Sequence, residues 1–268
     1  MLIRKPHVAG SFYPSDPAEL RQFFDAYFQP TAKLIQAKAI ILPHAGYIYS
    51  GQTASRVVSR IEVPGRVFMM GRNHHGLGEE FSICAEGQWE TPLGKVAIDE
   101  DLAKTVLARS QHIKNDPDAH AAEHSLEVLV PFLQKKNPAL RMVPMCVGTM
   151  NLARAKTVAL ECAEAISASR EPVMIAVSTD MSHYEPDDVT RKKDRYALHA
   201  IENLDDEALV KAVKENRITM CGFIPVYMLL VMHKQLRFMK ATLVDYRTSA
   251  DATGDRSRVV GYAGFIIE

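Results

Sequence analysis

Three histidine-bearing segments and one cysteine are the residues of this chain best suited to chemistry. Pro43-His44-Ala45-Gly46, Asn73-His74-His75-Gly76 and Asp180-Met181-Ser182-His183 each follow a short apolar run, and Cys221-Gly222 opens another. Neutral imidazole is the commonest protein ligand for iron, copper and zinc, whereas carboxylate and carbonyl oxygens suit magnesium and calcium. His44 with one of His74 or His75 therefore reads as part of a transition-metal site. Cys221, before a glycine at the mouth of a helix, reads as a further ligand, because the positive end of the helix dipole favours a thiolate. His183 reads as a general base. Its ordinary pKa lies near neutrality, and Asp180, three residues earlier, can orient one ring nitrogen. The plain alternatives are turn histidines bonded to backbone and a buried, inert thiol.

Two other chemistries compete for the same residues. His120-Ala-Ala-Glu123-His124 matches H-x-x-E-H, in which two histidines one helical turn apart hold zinc and the glutamate acts as general base. No downstream carboxylate offers itself as third zinc ligand, and the helix is only beginning there, so Glu123 and His124 read better as residues that line or brace a pocket. A Ser-His-Asp hydrolase would use Ser178 or Ser182 as nucleophile, but no G-x-S-x-G elbow surrounds either.

The elements that must position these groups are legible as apolar runs. Ala39 to Leu42, Arg66 to Gly71, Arg141 to Gly148 and Pro172 to Ser178 are too short for helices and too continuously apolar for one-faced strands. They read as interior strands of a sheet covered on both faces. Pro43 ends the first of them, having no N–H to give. Such folds bind ligands at the carboxyl ends of their strands, where neighbouring parallel strands set His44 beside His74 or His75. A helix opens near Ser15 or Asp16 with Pro17 in its first turn, and Phe12 and Tyr13 before it can form an aromatic wall. Ser50 is a candidate cap for a helix carrying Ala54, Val57, Val58 and Ile61. Phe81 to Ala85, Trp89 and the turn Thr91 to Gly94 suggest antiparallel hairpins. Leu126, Leu129, Val130 and Leu133 recur at helical spacing, which predicts an amphipathic helix from about Asp118 to Leu133, kinked at Pro131. Helices are predicted over 99–108, 152–168, 188–203, 205–216 and 226–234, strands over 241–246 and 259–267, and a polar loop, Arg247 to Ser257, over the site. No linker or repeat divides the chain. The whole of 1–268 reads as a single α/β domain with a mainly parallel or mixed sheet flanked by helices.

Composition narrows the classes further. The 32 basic and 32 acidic side chains cancel, so no overall field draws the chain to nucleic acid or to an acidic membrane surface. The longest apolar run, Ile224 to Met232, is too short to span a bilayer. The first residues lack the apolar core of a signal peptide, so a cytoplasmic location is the expectation. Cys84, Cys146, Cys162 and Cys221 show no CxxC pairing and read as reduced thiols.

Taken together, Ala9-Gly-Ser-Phe-Tyr13, Pro43-His-Ala-Gly-Tyr47, Asn73-His-His-Gly76, Glu123-His-Ser125, Ser178-Thr-Asp180 with His183, and Cys221-Gly222 stand in the order seen in the Memo family. From about residue 7 to its end the chain resembles a prokaryotic-type member. That resemblance implies the fold of the class III extradiol dioxygenases, a single α/β domain holding a non-haem metal in a cleft. It implies metal ligands at His44, at the second histidine of the pair, His75, and at Cys221. His183 would then be the acid/base histidine oriented by Asp180, and Tyr13, Tyr47, His74, Glu123 and His124 would line or brace the pocket. Iron(II) or copper is the implied ion, with zinc as a third candidate. The resemblance also suggests protein partners of a radical-enzyme system, beside a small-molecule or peptide ligand. Two departures stand out. Extradiol enzymes complete their site with a carboxylate where this chain has a softer thiolate, and Arg72 stands where proline is expected before Asn-His-His. A non-catalytic binding protein on the same cleft is the alternative to a metal-dependent dioxygenase or oxidoreductase.

Overall fold

A computed structural model describes residues 2–268. Its first half runs β1 (Ile3–Arg4), α1 (Pro17–Tyr27), β2 (Ala39–Leu42), α2 (Tyr47–Val58), β3 (Arg66–Arg72), β4 (Phe81–Ile83), β5 (Gln88–Thr91), β6 (Gly94–Ile98) and α3 (Glu100–Arg109). Next come β7 (Lys114–Asn115), α4 (Val130–Lys136), β8 (Arg141–Val147), α5 (Leu152–Ser167), β9 (Val173–Ser178) and β10 (His183–Glu185). The chain closes with α6 (Asp187–Glu202), α7 (Asp206–Asn216), α8 (Phe223–Leu236), β11 (Ala241–Thr248), α9 (Ala250–Thr253) and β12 (Val259–Ile267).

The sheet is mixed, with strand order β1-β5-β6-β8-β3-β9-β2-β12-β10 and β11 paired to β12. Its centre is parallel. β8, β3, β9 and β2 lie side by side, with Met70 opposite Val177 and Leu42 opposite Ser178. β12 adds antiparallel to β2, and β5 and β6 form the expected hairpin. β4 instead pairs antiparallel with β8.

Alternation along the central strands explains the two cores. Ile41, Phe68 and Met70 face the layer built by α3, α5, α6, α7 and α8, while Ile40, Leu42, Val67 and Met69 face that built by α1, α2 and α4. Successive side chains of a strand point to opposite faces, so a strand buried on both must be apolar throughout. Fully burying each such side chain stabilises the fold by about 1.5–3 kcal/mol.

Three local expectations are corrected. Helix α2 starts at Tyr47 on Gly46, and Ser50 lies inside it, donating to the Ala45 carbonyl at 2.9 Å. The segment from Asp118 to Leu133 is not one helix. A 3-10 turn at Pro117–His120, an irregular stretch and a second 3-10 turn at Glu127–Leu129 precede α4, whose first turn holds Pro131. The loop Arg247 to Ser257 contains α9 and does not line the cleft described below.

The start of β3 is tied to the start of α3 by a buried ion pair. Arg66 donates from Nε and Nη2 to the Asp99 carboxylate at 2.6 and 2.8 Å, and Asp99 also caps α3 by accepting from the Leu102 amide. Burial alone would raise the pKa of Asp99, but these bonds hold it below the ordinary value of 3.8. Removing one partner of a buried pair leaves the other uncompensated, so Asp99→Asn should lower the unfolding free energy by about 3 kcal/mol. A carboxyl whose pKa is depressed on folding stabilises above its unfolded pKa and loses that contribution as pH falls through the folded value. Urea unfolding of both proteins at neutral pH and below 3.8 should therefore show the gap shrinking in acid; a constant gap would exclude the ion pair as its cause.

Candidate metal centre

The carboxyl ends of β2, β9 and β3 open on one cleft of about 640 Å3, bordered by Phe12, His44, Arg72, His124, His183 and Cys221 among others. β9 separates β2 from β3, so His44 and the Asn-His-His segment are second neighbours across the sheet. Ligand atoms of His44, His74 and Cys221 all lie within 4.8 Å of one another. The Cys221 sulfur is 3.3 Å from His44 Nε2.

Each imidazole is set by a partner on its other nitrogen. His44 Nδ1 lies 2.6 Å from Ser178 Oγ, whose own hydrogen goes to the Ser125 carbonyl at 2.6 Å. The serine can therefore only accept from His44, which assigns the proton to Nδ1 and leaves Nε2 a free lone pair. Burial and the nearby His74 and His124 keep the His44 pKa well below the ordinary imidazole range. His74 Nδ1 lies 2.9 Å from Glu123 Oε1, and that carboxylate also accepts from the His74 and Ser125 amides. Burial acts to raise the pKa of Glu123, but these donors, His74 first, hold it far down. A carboxylate or hydroxyl behind a ligating histidine fixes its tautomer and raises its basicity.

The donor set fits a borderline or soft transition-metal ion. It comprises two neutral nitrogens and one sulfur, and it offers no hard oxygen cage. Burial first, and Asp180 second, push the Cys221 thiol up to about 12. The helix dipole expected to favour the thiolate is thus outweighed by desolvation, and a cation is what would bring the sulfur to its charged form. Gly222 packs this corner closely. A Cβ there would fall 2.3 Å from the Ser178 carbonyl, so only glycine lets Cys221 approach β9.

The structure does not bring His75 into the group. Asn73 Oδ1 accepts from the amides of His75 and Gly76, a side-chain turn that carries the chain away directly after His74 and leaves His75 exposed. His124 does face the cleft, its ring 4.6 Å from that of His74, and His74, Glu123 and His124 form a second, overlapping group. Burial lowers the His124 pKa to about 4. Tyr13 and Tyr47 do not line the cleft. Both are buried, their hydroxyls donating to Glu127 and to the Val128 carbonyl, and Phe12 is the aromatic residue of that arm that reaches the site.

His183 reaches the cleft, but not on Asp180. Its Nδ1 lies 2.9 Å from the Thr219 carbonyl, which can only accept, so Nε2 carries the lone pair. Burial lowers the His183 pKa, keeping the ring neutral at neutral pH. The Asp180 carboxylate accepts from the His44 amide at 2.8 Å and is pushed up to about 7 by burial. His120 and His124 do not share a helical turn. His120 is buried, with Nε2 at the Ser82 carbonyl and Nδ1 at the Cys146 sulfur, which removes the H-x-x-E-H zinc site. Ser178, Thr219 and Ser125 are site residues that sequence reasoning missed or cast otherwise; only the position of Ser178 at the end of an apolar strand hints at its part.

All four cysteines are free, and among the described residues no helix is long and apolar enough to cross a membrane. The fold is similar to that of an uncharacterized protein from Escherichia coli K12, at 12% identity and a TM-score of 0.55 over 86% of this chain and 100% of that one. A MEMO1 family protein of Aquifex aeolicus is 43% identical over 270 residues, 99% of each chain. Another, from Methanothermobacter thermautotrophicus, is 37% identical over 274 residues, covering 98% of this chain and 99% of its own. The family model described as Memo-like protein matches residues 4–266, and the chain belongs to the Memo family.

Proposed function

We propose that the protein is a metal-dependent oxidoreductase of dioxygenase-like type acting on a small ligand in the cleft, with iron(II) or copper held by His44, His74 and Cys221. The observation that carries this reading is the convergence of three ligand atoms from distant parts of the chain, with both histidine tautomers set from behind. Bound there, the ion would supply Lewis-acid and one-electron chemistry. The chain's own groups supply the remainder. His183, with its Nδ1–H on the Thr219 carbonyl, offers Nε2 to take a proton from an acidic O–H of the ligand. Phe12 packs its ring 4.9 Å from that of His124 and shields this side of the cleft from water. A thiolate in place of a carboxylate favours a second reading, in which the same cleft captures ligand without turnover.

Metal analysis of untagged protein grown with iron or copper tests the ligand set. His44→Ala, His74→Ala and Cys221→Ser should each lose the ion, while His75→Ala and His120→Ala should keep it. A wild type holding no more metal than the His44, His74 and Cys221 variants ends the proposal, and loss in His75→Ala alone would return the ligand role to that residue. Glu123→Gln should weaken metal binding about 10–100-fold in a chelator competition, because it relaxes the His74 tautomer; unchanged affinity would deny Glu123 that part. Oxygen uptake with a panel of catechols should accompany ligand-dependent thermal stabilisation. Stabilisation without uptake selects the binding reading.

A further inference from the structure

One arginine at the mouth of the cleft has no acid to pair with. Arg72, the last residue of β3, is exposed and borders the cleft. Among the described residues no carboxylate lies within ion-pair distance of it, whereas the buried Arg4 and Arg66 are each paired with a carboxylate. Its guanidinium makes one long hydrogen bond among the described residues, 3.4 Å from Nη1 to the Cys221 carbonyl. That bond turns the guanidinium across the site toward Cys221 and leaves most of its donor fork free. The only acid lining the cleft is Asp180, which is buried and spends an oxygen on the His44 amide.

Aromatic side chains share the lining of the cleft with this cation. Tyr49, Tyr184 and Tyr262 join Phe12 there. Tyr184 stands out because its backbone is left-handed, at φ 62, and its side chain is 65% exposed. A non-glycine residue held in that region costs roughly 1–3 kcal/mol and persists at sites where the surroundings need it. The bulge between His183 and Glu185, where β10 meets β12, is what turns Tyr184 outward beside His183. A cleft lined by aromatic side chains and by a guanidinium with no carboxylate partner matches a ring bearing an anionic group. Arginine presents a planar fork that fits a carboxylate through two parallel hydrogen bonds.

We propose that the cleft selects small aromatic carboxylates, with Arg72 as the specificity-determining residue that receives the carboxylate and the tyrosine and phenylalanine rim that receives the ring. This names a substrate class for the site described above and rests on that site being the working one, but Arg72 needs no bound ion to act.

The test compares benzoate with its neutral isostere benzamide by calorimetric titration, on protein as purified and after dialysis against a chelator. Wild type should bind benzoate at least about tenfold more tightly than benzamide in both preparations. Arg72→Gln should bring that ratio to about one, and Arg72→Lys should keep part of it, since a point charge lacks the fork. Equal binding of the two ligands, binding of neither at millimolar concentration, or a preference that survives Arg72→Gln overturns the assignment. A preference present only before chelation and unaffected by Arg72→Gln would place the carboxylate on a metal instead, and so also overturns it. Metal content measured on the same samples separates the two ideas: a chain that holds no ion yet shows the Arg72-dependent ratio loses the metal reading and keeps this one.

Discussion

Everything at the site depends on the in-register parallel pairing of β3, β9 and β2. Leu42 stands opposite Ser178, and Met70 stands opposite Val177. Those registers bring the chain to one edge at His44, at Ser178 and at Arg72. A slip of one residue would turn each apolar face to the opposite layer and carry the histidines with it. The two buried cores therefore fix the site's geometry as well as the stability of the fold. Pro43 adds to this by ending the ladder of β2 just where His44 must leave it.

What turns strand ends into a metal-ready group is the layer of acceptors behind the imidazoles. Ser178 accepts a hydrogen bond from His44 and donates its own to the Ser125 carbonyl, and Glu123 accepts from His74. None of these acceptors can be read as a ligand from sequence, because their effect is exerted through another side chain. Asp180 belongs with them. It holds the amide that starts the His44 turn, and its own amide points at the Cys221 sulfur at 3.2 Å. The residues between 178 and 183 thus organise the site from behind, while His183 alone among them offers a free ring nitrogen to the cleft.

The central strands were legible because a continuous apolar run of four to seven residues bounded by glycine or proline has few other homes. The meeting of His44 with an adjacent histidine was legible for a related reason: strand ends of a parallel sheet share one edge, whereas Cys221, which precedes α8, was legible only as a cysteine before a glycine at a helix mouth. Which histidine of the pair serves was not. The Asn73 side-chain oxygen accepts from the amides of His75 and Gly76, a turn that leaves the His74 ring on Glu123 and His75 outside the ligand group. Tyr13 and Tyr47, expected to line the pocket, turn to the core on a similar point. A tyrosine near a site faces inward or outward according to where its hydroxyl finds an acceptor, and Glu127 and the Val128 carbonyl lie on the core side.

The broken helix between Asp118 and Leu133 shows how far periodicity can mislead. Its apolar positions are indeed buried: Leu126, Leu129, Val130 and Leu133 all are. Their spacing reports a face packed on the core, and that face is preserved although the backbone before Val130 is not a continuous α-helix. Arg4 supplies the reason. Its guanidinium donates to the carbonyls of His120 and Glu123 at 2.6 and 2.8 Å and pairs with the Glu127 carboxylate at 2.7 Å. Glu127 in turn accepts from the amides of His7 and Val8 and from the Tyr13 hydroxyl. A helix through this stretch would satisfy those carbonyls within itself and would have no use for the arginine. With β1 threading Arg4 beneath it, the segment stays irregular, which lets Glu123 reach His74 and His124 face the cleft together. Burying such a pair costs several kcal/mol of desolvation per ion, and its many hydrogen bonds offset that cost. In return the N-terminal arm and the loop bearing Glu123 are fixed to each other, so these two parts of the wall, distant in sequence, hold one geometry.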